Sequence, residues 1–352
     1  NRFTAVGTLS SIIGAISTLT LFSLPLNHIT CAVPTEITSL ESLKELNLEA
    51  NMFQGTLPIN FETLTSLSKL SLADNMLTGT LPTTIIDLTD LVYLNMTHND
   101  ISGRLPDDIG VLTKILRLDL AFNIMSGTIP SDISKLTKLT ELDMTSNSFS
   151  GTIPSGLLAL TRLRSLILEE NSLSGTIPPE LAGLTNLQTL ELTNNLLTGT
   201  IPLELQRLTK LTSVDFGNNN LIGIIPNIIK LYRDLRTLNL TGNSFTGSIP
   251  EVIGFLTDVT YLNLADNLLE DSIPVSIGLL TKLSFLDLSL NSLASSLPET
   301  IGQLVQLTYL DLSENSLDGR IPTTIGLLTN LESLNLATNS FTGEVPTHIC
   351  DL

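Results

Sequence analysis

The chain has 352 residues, of which 35 are Asp or Glu and 17 are Lys or Arg, giving a net charge of −18 at pH 7. Nucleic acid is excluded as a partner, because binding it depends on Lys and Arg neutralising phosphates. The acidic balance serves solubility or the attraction of a basic partner or Ca2+, and 42% hydrophobic against 15% charged residues fits one continuous apolar core.

Residues 3–35 contain no Asp, Glu, Lys or Arg. The run Ala5–Leu26 has the length of a membrane span, yet Ser and Thr are frequent in it. Ile13, Gly14, Ile16, Leu19, Phe22, Leu24 and Asn27 also fall on the template of the later chain, once a two-residue insertion near Ala5–Val6 is allowed. Residues 1–26 are therefore read as a degenerate N-terminal repeat, the alternative being a membrane or signal segment. No signal peptide with a basic start is visible.

From Asn27 an asparagine returns every 24 residues through Asn51, Asn75 and onward to Asn339. A fixed period of this size marks a solenoid, so residues 27–352 read as one continuous run of repeats. Each unit follows L-x-x-L-x-x-L-x-L-x-x-N-x-L-x-G-x-I-P-x-x-I; around Asn195 the template residues are Leu184, Leu187, Leu190, Leu192, Leu197, Gly199, Ile201, Pro202 and Leu205. The L-x-L step alternates and predicts a short strand with one face buried. One such strand per unit, always in the same direction, stacks into a parallel sheet with about 4.8 Å per step.

The asparagine suits an inward turn, where its amide both donates and accepts for the backbone. Leaving those groups unpaired costs roughly 1–3 kcal/mol per site, and a column of amides can bond from coil to coil. A proline stands seven residues after the asparagine in all 14 complete units, from Pro34 to Pro346. It fixes φ and removes a donor, which suits a segment leaving a second short extended stretch. The preceding glycine permits a tight turn. Cys31, Asp271 and Ser295 replace it in three units, where local distortion without a break is expected.

N-x-L-x-G-x-I-P at this period resembles the plant-type leucine-rich repeat of receptor-kinase and receptor-like ectodomains and of polygalacturonase-inhibiting proteins. The resemblance covers essentially the whole chain. It implies an α/β solenoid, a right-handed curved superhelix with its parallel sheet on the concave face. It also implies a non-catalytic, extracellular or cell-surface recognition module that binds a protein, peptide or glycan there. The alternatives are an enzyme inhibitor of the polygalacturonase-inhibiting kind and a structural subunit docking through its end coils. Threonine rows such as Thr65, Thr89 and Thr113 invite an ice-binding reading, but threonine is simply common at those template positions.

Along the chain, the solvated strand positions lie seven, six, four, two and one residues before each ladder asparagine. The column six before it carries Tyr93 and then Tyr261, Phe285 and Tyr309 on three successive strands, flanked by Asp287 and Asp311. Aromatics bracketed by polar groups are typical anchors for a partner; the plainer reading is cross-strand packing. The column four before it is mostly Asn or Asp. Glu141, Asp143, Glu169 and Glu191 crowd the middle of the chain, where a cation, Arg164 or a basic partner would relieve repulsion; a solvated acidic face is the plainer reading. No Ca2+-loop signature accompanies them. Asn95-Met-Thr97 and Asn239-Leu-Thr241 are glycosylation sequons.

Catalysis finds little support. His28, His98 and His348 are the only histidines, and neither His28 near Cys31 nor His348 near Cys350 has the further ligands of a zinc site. No phosphate loop, kinase signature or nucleophile motif occurs, so no cofactor and no metal is expected. Cys31 and Cys350 lie near opposite ends of the repeat run, too far apart to bridge. The chain opens and closes in mid-unit, as an internal fragment would, and any membrane attachment is expected from segments outside it. The sequence leaves the oligomeric state open.

Overall fold

A computed structural model describes residues 7–347. Asn1, Phe3, Ala5, Val6, His348 and Cys350, on which parts of the sequence reading rest, lie outside the described residues. By internal packing the chain divides into two units, Asn1–Leu173 and Ser174–Leu352, and each is a stack of parallel-stranded coils.

One coil of the first unit shows how the sequence builds the stack. Leu112, Ile115, Leu118 and Leu120 precede Asn123, and Met125, Ile129 and Ile133 follow it; all are at most 4% exposed. Fully burying such a side chain contributes about 1.5–3 kcal/mol, and the columns above and below repeat the same burial. In the strand Tyr93–Asn95 only the central Leu94 is buried, while its neighbours are half-exposed on the opposite face. That is the alternation expected of a strand covered on one side.

In the first unit seven such strands pair in parallel, in chain order from Leu21–Ser23 through Glu45–Asn47, Lys69–Ser71, Tyr93–Asn95, Arg117–Asp119 and Glu141–Asp143 to Ser165–Ile167. In the second unit seven more run from Thr189–Glu191 through Ser213–Asp215, Thr237–Asn239, Tyr261–Asn263, Phe285–Asp287 and Tyr309–Asp311 to Ser333–Asn335. The register places each residue beside the one 24 positions later, as in Tyr261↔Phe285. Leu21–Ser23 and the short helix Ser11–Ala15 already follow this plan. No helix among the described residues is long and apolar enough to cross a membrane.

The helical element is a 3-10 turn rather than an α-helix. Pro130, at φ −62° and ψ 139°, is the extended residue before the helix Ser131–Lys135, and Pro250 plays the same part before Glu251–Phe255. The ring holds φ near its required value and the missing N–H is no loss at a helix start. Two coils depart: the helix Ser11–Ala15 follows Ser10, and the helix Phe61–Thr63 begins after Asn60, beyond Pro58.

From Asn51 on, the ladder asparagines join neighbouring coils through the backbone. Asn267 Nδ2 donates to the carbonyls of Leu240, Leu264 and Ala265 at 2.9, 3.2 and 3.0 Å, and its Oδ1 accepts the Phe245 N–H at 3.0 Å. The amides therefore bond to the preceding coil's main chain. This geometry requires the residue just before the asparagine to turn back. It has a positive φ in coil after coil: Ala50, His98, Phe122, Glu170, Leu290 and Glu314 lie between 51° and 54°.

The glycine column behaves differently. Gly79 sits at φ +80°, and a Cβ there would lie 2.7 Å from Thr56 Cγ2, so both conformation and space call for glycine. Asp271 and Ser295, which replace glycine, keep the left-handed turn at φ 65° and 66°. The distortion expected there is a gap in the second ladder of short strands. Pairing runs from Leu196–Gly199 to Leu268–Glu270, and resumes between Ala294–Ser296 and Ser316–Asp318. Ser292 and Ala294 still donate to the Leu269 and Asp271 carbonyls at 2.8 and 2.7 Å. At the third departure, Cys31 is a free thiol whose Sγ accepts the Leu9 N–H.

Candidate recognition surface

The solvated face of the second unit's sheet carries its most distinctive feature. Tyr261, Phe285 and Tyr309 occupy one column on paired strands. Their rings stack with centroids 4.4 and 4.5 Å apart and interplanar angles of 10° and 4°. The spacing is that of the strands beneath, so the backbone sets the stack. Each ring is half-buried. Cross-strand packing thus occupies the facing surfaces, and among the described residues no further ring stacks on the outer faces of Tyr261 and Tyr309; Tyr261 Oη accepts from Asn263 Nδ2 and Tyr309 Oη donates to Asp311 Oδ2, each at 3.4 Å.

The flanking carboxylates have structural work as well. Asp287 Oδ1 accepts from the Ser289 N–H at 3.0 Å and the Ser289 hydroxyl at 2.6 Å. Asp311 Oδ1 does the same for Ser313 at 2.8 and 2.6 Å. The same two-residue bond recurs at Asn47, Asn95, Asp143, Asp215, Asn239, Asn263 and Asn335. This column is therefore not a plain solvated acidic row: its Asn and Asp residues close the strand ends by side-chain-to-backbone turns. The second oxygens differ. Asp311 Oδ2 accepts from Asn335 Nδ2 at 2.9 Å and Tyr309 Oη at 3.4 Å. Burial and the nearby carboxylates of Asp287 and Asp311 push the Tyr309 hydroxyl above its ordinary range.

In the first unit the same column holds a charged network. Arg117 lies over the Tyr93 ring with 5.8 Å to the centroid. Its Nε donates to Asp119 Oδ2 at 2.6 Å, and its Nη1 forms an ion pair with Glu141 Oε2 at 3.0 Å. Burial raises the Asp119 carboxyl above the usual range, against the lowering effect of Arg117. On the other side of Tyr93, Lys69 pairs with Glu45 at 3.6 Å. Glu45, Asn47, Glu49, Lys69, Ser71 and Tyr93 line an open cleft of about 340 Å³, which the sequence reading did not single out beyond Tyr93. Column membership was the available signal: Glu45, Lys69, Tyr93 and Arg117 succeed each other at one template position.

The acidic residues named in the middle of the chain fall in both units. Glu141, Asp143 and Glu169 belong to the first unit and Glu191 to the second. Arg117, and not Arg164, relieves Glu141; Asp143 binds the Thr145 N–H and hydroxyl; Glu191 accepts from Ser213 Oγ at 2.7 Å. Among the described residues no group of three or more His, Cys, Asp or Glu side chains is placed to hold a metal ion. His98 instead stacks on Phe122, with centroids 4.2 Å apart. In the sequons, Asn95 Nδ2 donates to Tyr93 Oη at 3.0 Å and Asn239 Nδ2 to Asp215 Oδ2 at 3.0 Å.

Family models described as leucine-rich repeat regions or repeats match residues 219–351, 43–101, 138–160, 162–184 and 186–208. No curated protein matches the chain by sequence. Among solved structures it is similar to a TDR receptor, at 28% identity over 98% of this chain and 64% of that one, with a TM-score of 0.90. It is also similar to the Arabidopsis receptor kinase HAESA, solved with the peptide hormone IDA and the co-receptor SERK1, at 32% identity, 97% and 61% coverage and a TM-score of 0.89. The chain thus spans a little over three fifths of each of these relatives. A Leptospira interrogans leucine-rich-repeat protein matches at 31% identity over 97% of this chain and 90% of its own, with a TM-score of 0.77. By repeat, coil geometry and these matches, the chain belongs to the leucine-rich repeat family.

Proposed function

We propose that this chain is the non-catalytic recognition part of an extracellular or cell-surface protein and that it binds a peptide or protein ligand across the strip of Tyr261, Phe285 and Tyr309. The observation that carries the reading is the three-ring stack in a column whose other members in the second unit are Thr189, Ser213, Thr237 and Ser333. Large amphipathic rings held rigid by the backbone give contact area at low entropic cost. Relatives of similar fold support the class of ligand: HAESA is solved with a peptide hormone and RGFR1 with the peptide RGF2. The sequons at Asn95 and Asn239 agree with a secreted location.

The test is peptide selection on the intact chain from a random heptapeptide display library. Enriched peptides are expected to lose binding when Tyr261, Phe285 and Tyr309 are all replaced by alanine. The half-buried positions predict only a small fall in melting temperature. Binding that survives the triple replacement removes the strip from the ligand site.

A further inference from the structure

The aromatic column of each unit begins one arrangement, and only the first unit completes it. In the first unit Tyr93 is followed, one coil later in the same column, by Arg117, whose guanidinium lies over the ring with 5.8 Å to its centroid. Carboxylates of Asp119 and Glu141 hold that guanidinium. In the second unit the aromatic column ends at Tyr309, and the residue one coil later is Ser333. The serine side chain is too short to cover a phenol ring, and among the described residues no further ring or cation stacks beyond Tyr309.

The electrostatics of that open face are already negative. Asp311, on the Tyr309 strand itself, has Oδ2 3.4 Å from Tyr309 Oη, and Asp287 adds its charge from one strand behind, on the Phe285 side. Among the described residues Asp287 Oδ2 accepts no hydrogen bond: its coil carries Phe285 in place of a tyrosine, and the next coil places Asp311 beside it where Asp311 itself meets the Asn335 amide. Exposed Glu332 precedes Ser333. The outer ring face, with its negative quadrupole, and the carboxylates together favour a flat cation over an ammonium.

We propose that the outer face of Tyr309, open above Ser333, seats an arginine side chain of the bound peptide, as Tyr93 seats Arg117 within the chain. The proposal deepens the strip reading above and rests on it. The seat is planar and bounded by acid, so it selects guanidinium by stacking and charge together. A chain of net charge −18 also draws such a ligand in from a distance.

The test uses the same heptapeptide selection, followed by exchange of each enriched arginine for citrulline, which keeps the shape and removes the charge. Arginine is expected above its input frequency, and citrulline peptides are expected to bind about 3- to 30-fold more weakly, the range of a cation–π contact. On Ser333→Arg, which supplies an internal guanidinium, and on Tyr309→Ala, the same exchange is expected to change affinity less than about twofold. Circular dichroism and melting temperature check the folding of both variants. Peptides that need the three rings but show no arginine preference, or an undiminished citrulline effect on Ser333→Arg, overturn the arginine seat and leave the strip standing. Peptides that survive loss of all three rings, or a library with no enrichment, overturn the strip and the seat together.

Discussion

Asn123 donates its side-chain amide to the Met96 carbonyl, 2.9 Å away and 27 residues earlier in the chain. Three more bonds complete the amide: to Leu120 and Ala121 carbonyls at 3.1 Å each, and from the Ile101 N–H at 3.0 Å. At 7% exposure no water stands ready to replace them.

Asn123→Ala is therefore expected to destabilise by about 3 kcal/mol or more, since several buried groups lose their partner at once. Asn123→Asp is expected to be worse at neutral pH, because a carboxylate would face three carbonyl oxygens. Its native carboxyl would be raised, so its penalty is small below the unfolded value of about 4 and grows as pH rises. Urea unfolding at pH 3.5 and pH 7 measures this; equal penalties at both would contradict the bonding pattern.

The left-handed turn at Ser295 predicts a gain. Its φ of 66° suits glycine, which most coils carry at this position. Ser295→Gly is expected to stabilise by about 1 kcal/mol through relief of Cβ crowding. Gly79→Ala, where the added carbon meets Thr56 Cγ2, is expected to destabilise. Denaturant midpoints of the two variants should move in opposite directions.

Tyr232 ties the second unit's helical edge to the coil before it: its hydroxyl donates to the Leu205 carbonyl at 3.1 Å, in a site where the side chain is buried. Burial pushes this phenol well above its ordinary value. The native state therefore favours the neutral form, and that stability is fully present below the unfolded value of about 10 and lost as pH rises past it. Tyr232→Phe is expected to cost about 1 kcal/mol at pH 7 and to flatten the decline between pH 9.5 and 11.5. Parallel curves for variant and wild type would show that Tyr232 does not carry the alkaline loss.

The Arg117–Asp119 contact predicts an acid-side difference. Asp119 is raised by burial and lowered by Arg117, so Arg117→Gln is expected to raise the carboxyl further. A raised folded value means stability present below the unfolded carboxylate range and lost as pH climbs through the folded one. The variant should match wild type near pH 3 and fall behind by pH 7. Carboxyl carbon shifts of Asp119 on titration give the direction directly.

These cases show how far a sequence of this kind can be read. The 24-residue return of asparagine determines the coil, and leucine alternation determines which residues face inward, because strand side chains alternate strictly. It also places Tyr261, Phe285 and Tyr309 in one column, and the tyrosine–arginine succession at Tyr93 and Arg117 was there to be found by the same count. What each column does was settled only by the folded chain. The Asn and Asp residues four before the ladder resemble an acidic face in sequence, yet they bond their own backbone. The residue before each ladder asparagine is Asp, Asn or Gly in some coils, as at Asp74, Asn194 and Gly242, yet it carries a positive φ in leucine, phenylalanine and glutamate alike, because cooperative coil bonding overrides local preference. Periodicity fixes neighbourhood through geometry shared by every unit; hydrogen-bond partners, ring stacking and the open face of Tyr309 depend on side-chain directions that arise only once coils lie against one another.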